Sequence, residues 1–202
     1  MKALMLNAVR EFLGLLRHRF DVGVLTTEDS VRYTFFAALL RTDVRPEQVV
    51  LEYPHPSIRR ARIDTVIVGA DRSPKIAIEF KYDRANPGGT NQPMPQKAGA
   101  TFADFVRLLK LPWQIGRYLV YLTDKELAGY LANPRNGLSE VFGLREGTHL
   151  KLRSDFFRDR SATFLDSMGE WPGPATLYGI ASANLAQDHY LRIYKIQPSN
   201  AA

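Results

Sequence analysis

Cysteine is absent from the 202-residue chain. Without a thiol there is no disulfide framework, no thiolate metal site and no cysteine nucleophile, so any metal must bind through oxygen or imidazole. The usage suits a reducing, cytoplasmic setting. Long apolar runs are missing too. The N-terminus turns apolar after Met1-Lys2, but Arg10 and Glu11 interrupt it before a secretory core or a membrane span is complete, so the expectation is neither signal nor anchor, and no membrane partner. Internal repeats and low-complexity tracts are absent. Asn86-Pro87-Gly88-Gly89 lacks the Gly-Lys-Ser/Thr that would cradle a nucleotide phosphate, and no Gly-x-Ser-x-Gly is present, so ATP binding and acyl transfer are not supported. The histidines, His18, His55, His149 and His189, show no ligand spacing; no zinc motif follows, and His55 reads as structural.

What is present is an ordinary globular balance, with 45% apolar and 24% charged residues. The length suits one substantial core, since two half-size units would each be marginal, and a single domain over 1–202 is expected. Lys and Arg exceed Asp and Glu by 27 to 21, a formal charge of +6 and a sequence pI near 9.6. Coulomb attraction then ranks a polyanion first among partners.

Met5, Val9, Phe12, Leu13, Leu16 and Phe20 recur at helical spacing and predict an amphipathic helix packed on a core. Thr26-Thr27-Glu28-Asp29 predicts a helix start, with a threonine cap and acids favoured by the dipole, running to about Arg41. Three runs rich in Val, Ile, Tyr and Phe, 49–53, 62–68 and 75–82, predict an antiparallel meander. A loop over 83–96, a helix closed by Leu111-Pro112, a strand over 117–122 and a helix from Thr123 or Asp124 to about Leu131 follow. The stretch to Met168 is ambiguous. Strands over 176–181 and 189–196, joined by 182–188, close the chain as a hairpin.

Setting Gly69 opposite Pro74 in the hairpin of the second and third strands places Asp64 across from Glu79 and Arg62 across from Lys81, all on one face. Ile76, Ile78 and Phe80 then project to the other face and bury. Opposed carboxylates repel unless a cation lies between them, and two carboxylates plus a carbonyl suit a hard ion such as Mg²⁺. Lys81 alongside is a cation able to hold a phosphate or to lower the pKa of an attacking water.

Ile63-Asp64, fourteen intervening residues and Glu79-Phe80-Lys81 resemble the PD-(D/E)xK nuclease signature of the restriction-endonuclease-like fold, with Ile63 in place of the proline. The resemblance covers residues 26–123. It implies an α/β fold with a restriction-endonuclease-like core, a central mixed four- to five-stranded sheet flanked by helices, and here a C-terminal β-hairpin, with 124–202 as an elaboration. It further implies a Mg²⁺-dependent phosphodiesterase, an endonuclease rather than an exonuclease, with Mn²⁺ as a substitute, DNA as the partner and a 5′-phosphate product. Asp64, Glu79, Glu28 and the Phe80 carbonyl would hold the metal. Lys81 would orient the water, and Gln96 or Lys97 would approach from the following helix. Homodimerisation is open by the same analogy.

Each feature has a plainer explanation. A Glu-x-Lys pair on a strand is usually an exposed face, and an acid in a first helical turn is explained by the dipole alone. The cluster Arg59, Arg60 and Arg62, with Lys97, suits phosphate contacts or a solvated turn; Glu52 reads as the partner of one of these arginines. Trp113, Tyr118 and Tyr121 read as core aromatics and not as a stacking platform. The rival to a nuclease is a nucleic-acid-binding or assembly module that keeps the fold while its acids serve as surface charge.

Overall fold

A computed structural model describes residues 2–85 and 91–199. Among these residues seven strands form one sheet in the order β1-β2-β3-β4-β7-β6-β5. The strands are β1 (Val49–Pro54), β2 (Arg62–Val68), β3 (Pro74–Asp83), β4 (Gly116–Thr123), β5 (His149–Leu152), β6 (Ala175–Leu185) and β7 (His189–Pro198). β3 and β4 run parallel, joined by the crossover helix α3 (Met94–Leu109), and the other strand pairs among the described residues are antiparallel. The sheet is thus mixed and the fold α/β, with seven strands where four to five were expected. β5 lies in the stretch left ambiguous by its sequence. The C-terminal hairpin joins the central sheet through β7 and β4, and its strands extend through Leu185, so the turn is shorter than 182–188.

Strand periodicity sorts the core into two layers. Ile67, Ile76, Ile78, Phe80, Val120 and Leu122 face helices α1 (Lys2–Asp21) and α2 (Glu28–Leu40), meeting Met5, Val9, Phe12, Leu16, Phe20, Phe35 and Leu39. Val66, Ala77, Leu119, Tyr121 and Tyr194 face α3, α4 (Lys125–Ala132), α5 (Ser139–Phe142) and α6 (Ala162–Met168). Burial of this apolar area, at about 25 cal/mol per Å², is the main stabilising term. The caps agree with the sequence. The Thr27 hydroxyl accepts the Ser30 amide at 3.2 Å, and Asp124 accepts the Leu127 amide at 3.0 Å. Tyr118 and Tyr121 are core residues, and Trp113 packs edge-on against Tyr53 at 5.8 Å.

Gly99 is where α3 meets α6. A Cβ there would press on the Phe164 carbonyl oxygen and lie 2.8 Å from the Ser167 Cβ, so glycine permits the approach. Gly99→Val is expected to destabilise the chain by about 1–3 kcal/mol, the range for overpacking a filled contact. Denaturant unfolding measures this; an unchanged midpoint would show that the helices can separate without cost.

The β2–β3 ladder pairs Thr65 with Ile78, Val66 with Ala77 and Ile67 with Ile76, the register that extrapolates to Asp64 opposite Glu79. A bulge sets Val68, not Gly69, opposite Pro74, with the turn closed by the Gly69 amide on the Ser73 carbonyl at 2.9 Å. Beyond Thr65 the ladder ends. β2 stays paired with β1, Ile63 to Tyr53 and Arg62 to Pro54, so Arg62 does not face Lys81. β3 continues to Asp83 against β4 alone. The sheet is therefore split on one side of β3 from Glu79 onward.

Candidate active site

A split sheet leaves backbone donors without partners, and buried amides need them. Two side chains supply them here. Asp64 Oδ2 accepts the Phe80 amide at 2.8 Å, and Glu28 Oε2 accepts the Tyr82 amide at 2.9 Å. A strand residue directs its amide and carbonyl to the same neighbour, so the Phe80 carbonyl opens into the same gap, between the two acids. Asp64 reaches into this gap at the sheet edge, while the Glu79 side chain projects from β3 toward α3. The first turn of α2 and the start of β2 are thus brought together by one strand edge.

Glu79, Lys81 and Asp83 alternate along the α3 face of β3, opposite a polar stripe of Lys97, Thr101 and Asp104 on the helix. Glu79 is 0% exposed and Asp104 4%. Arg107 bridges them, with Nε 3.1 Å from Glu79 Oε1 and Nη2 2.6 Å from Asp104 Oδ1. Glu79 Oε2 is buried with no hydrogen-bond partner. Lys81 Nζ lies 4.0 Å from Asp83 Oδ1. Arg32, one turn after Glu28, bonds Glu52 and Asp29 and stands 3.9 Å from Asp64 Oδ1.

Burial pushes the Glu79 carboxyl well above its ordinary range; Arg107 opposes this, and Asp64 and Asp104 add to it. Burial likewise pushes Asp104 up to about 7, against Arg107 and Lys81, and raises Glu28 and Asp83. For Lys81 burial works downward, yet Asp83, Asp104 and Glu28 together hold it above its usual value. Lys81 is therefore a permanent ammonium near neutral pH, suited to hold negative charge and unsuited to accept a proton. The raised acids have a consequence for stability. The folded chain keeps a proton on Asp104 that the unfolded chain releases near pH 4, so this contribution is complete below about pH 4 and is lost as the pH rises through about 7. Glu79, Glu28 and Asp83 act in the same direction. The melting temperature without divalent metal is expected to fall between pH 5 and 8, and to fall less in Asp104→Asn; a rise across that window in the wild type contradicts this.

Among the described residues, no three acidic or imidazole side chains converge tightly enough to hold a metal. The donors the site offers are fewer: Asp64 and Glu28 bond the Phe80 and Tyr82 amides of one strand edge, and Glu79, whose carboxyl feels the Asp64 charge, keeps Oε2 without a partner. Few protein oxygens with room for water fit Mg²⁺, which keeps part of its hydration shell. The fit to a hard divalent cation is thus one of donor chemistry, with arginines in contact with several of the acids.

The other expected residues take varied places. Arg59, Arg60 and Arg62 are exposed at the turn before and the start of β2. Gln96 is half-buried in the first turn of α3. Lys97 is 8% exposed and donates to the Arg84 carbonyl at 2.9 Å, which turns it away from any surface phosphate. Glu52, a left-handed residue with φ 52°, pairs with Arg32 and not with the cluster at 59–62. His55 is structural: Nδ1 accepts the Ser57 and Ile58 amides at 3.1 Å, and Nε2 meets the Arg107 carbonyl at 2.9 Å. It anchors the arginine turn to α3. Asn86-Pro87-Gly88-Gly89 lies outside the described residues.

Asp104, Arg107 and Arg32 were not anticipated as site residues. The signal for Asp104 is its position: Lys97, Thr101, Asp104 and Leu108 share a helical face, so polar groups stand where the apolar period calls for core. No family model, curated protein or solved structure matches the chain.

Proposed function

We propose that the chain is a Mg²⁺-dependent nuclease that hydrolyses nucleic-acid phosphodiesters, with DNA as substrate by the resemblance of Asp64 and Glu79-Phe80-Lys81 to the PD-(D/E)xK signature. The observation that carries this reading is the split beside β3. There Asp64 and Glu28 flank the Phe80 carbonyl, and a fully buried Glu79 leaves one oxygen without a partner. Asp64, Glu79 and the Phe80 carbonyl would hold the cation, with Glu28 on an outer water. The cation, when bound, polarises a phosphoryl oxygen and makes a water more acidic. Lys81 stays charged and half-exposed at the mouth, where it orients the water and meets the negative charge that grows on the phosphate. Hydrolysis would form a bond from the water oxygen to phosphorus and break the bond to the 3′ oxygen; the attacking water gives up a proton to solvent and the 3′ oxygen takes one from solvent, leaving a 5′-phosphate and a 3′-hydroxyl. Arg59, Arg60 and Arg62, free of ion pairs among the described residues, would track the backbone.

The Arg107 bridge favours a second reading. A guanidinium that already neutralises Glu79 and Asp104 suits a module that keeps the fold and binds nucleic acid without cutting it. One assay separates the two: purified protein with plasmid, linear duplex, single-stranded DNA and RNA, in Mg²⁺, Mn²⁺ or EDTA. Cutting that needs the metal supports the nuclease. No cutting, with salt-sensitive binding that persists in EDTA, supports the module.

A further inference from the structure

A cavity of about 390 Å³ opens at the C-terminal ends of the parallel strands β3 and β4, within the range of small-ligand clefts. Val24 and Leu25 from the α1–α2 loop, Tyr82, Arg84 and His189 form much of its wall. The Tyr82 hydroxyl and His189 Nε2 are 2.8 Å apart, and Phe20 packs on the His189 ring at 4.7 Å. His189 Nδ1 is buried with no partner. Val24 and Leu25 are 49% and 72% exposed, and the exposed Arg84 holds its guanidinium carbon 5.7 Å from the Tyr82 ring centroid. Asp124, the one acid in the wall among the described residues, is committed to the Leu127 and Ala85 amides.

Aromatic and aliphatic surface edged by an exposed arginine is the chemistry that takes an unstacked base and its phosphate. The cavity adjoins the candidate active site through Glu28, which stands two positions after Thr26 of the cavity wall and holds the amide of Tyr82 in that wall, although the Tyr82 side chain lies on the α1–α2 face of β3 and that of Lys81 on the α3 face. We infer that this cavity receives an unpaired nucleobase next to the cleaved phosphodiester, which makes single-stranded or frayed nucleic acid, and not intact duplex, the substrate class. A base inside a duplex is stacked and paired and must leave the helix to enter. The inference rests on the nuclease reading for the polymer and on the cavity for the unpaired base.

Fluorescence anisotropy in EDTA tests it with the full chain and two labelled probes, an oligothymidylate of about 12 nucleotides and a blunt duplex of equal length. The single strand is expected to bind about tenfold tighter or more. The double variant Leu25→Glu, Arg84→Ala changes two exposed side chains. It should lose about tenfold on the single strand and keep its duplex affinity and its melting temperature. Equal affinity for both probes, or an equal loss on both, overturns the inference. Adding Mg²⁺ separates the two readings. A strand preference in a chain that cuts nothing keeps the cavity and removes the nuclease, whereas equal binding and equal cutting of both probes remove the cavity and keep the nuclease.

Discussion

Asp64→Asn is expected to lower metal-dependent cleavage by about 10²–10³-fold, the loss that follows removal of one charged stabiliser from a reacting centre. The substitution keeps the side-chain shape and removes the charge. Its carbonyl oxygen can still accept the Phe80 amide, so the split in the sheet should survive, and the melting temperature should stay close to that of the wild type. The defect would then lie in chemistry and not in folding. Lys81→Met should give a loss of similar size, because its ammonium is held charged by Asp83, Asp104 and Glu28 and has no role in the core. Arg59→Ala and Arg62→Ala differ in kind: they should weaken binding across sequences and reduce its salt dependence, with little change in the rate at saturation. Single-turnover cleavage measures all four. An Asp64→Asn chain that cuts at the wild-type rate would place the chemistry elsewhere.

Arg107→Met should be the most destabilising change in the site. Its guanidinium is the partner of Glu79, which has no exposure, and of Asp104, which is nearly buried. Removing one member of such a pair strands buried charge and costs about 3–5 kcal/mol. The lower end applies here, since the arginine side chain itself is 34% exposed and both acids can take up protons. The variant should therefore melt well below the wild type at pH 8 and recover part of the difference at pH 5, where Asp104, pushed up to about 7, is protonated and the raised Glu79 carboxyl is displaced toward its neutral form. Thermal unfolding at the two pH values reads this directly. Equal melting temperatures for variant and wild type would mean that Arg107 only decorates the surface of α3.

Much of this site was legible because its logic is local. The period of two separates the faces, and Thr65 pairs with Ile78 as the expected register requires, although a bulge at Ile67/Val68 sets Val68 and not Gly69 opposite Pro74. The Thr27 cap and the stripe of Phe35 and Leu39 place Glu28 at the head of a helix that packs on β3. What the sequence pattern did not reveal was non-local. The divergence of β2 from β3 after Thr65 depends on β1 holding β2, and it leaves the Phe80 amide to be met by the Asp64 side chain. The Arg107 bridge depends on how α3 crosses the sheet. An acid and an arginine three apart on a helix read equally well as an exposed pair. Lys97 shows the same limit, as a lysine in a first helical turn gives no sign that it will donate inward to the Arg84 carbonyl. β5 is four residues long and alternates weakly, so only its pairing with β6 defines it.

The central claim is that the gap beside β3 holds a divalent cation. A crystal of the full chain soaked in Mn²⁺ and measured for anomalous scattering tests it most directly. The nuclease reading requires an anomalous peak within bonding distance of Asp64, Glu79 and the Phe80 carbonyl oxygen, and its loss in Asp64→Asn. A map with no peak there, with Arg107 still bridging Glu79 and Asp104 at saturating Mn²⁺, would contradict it.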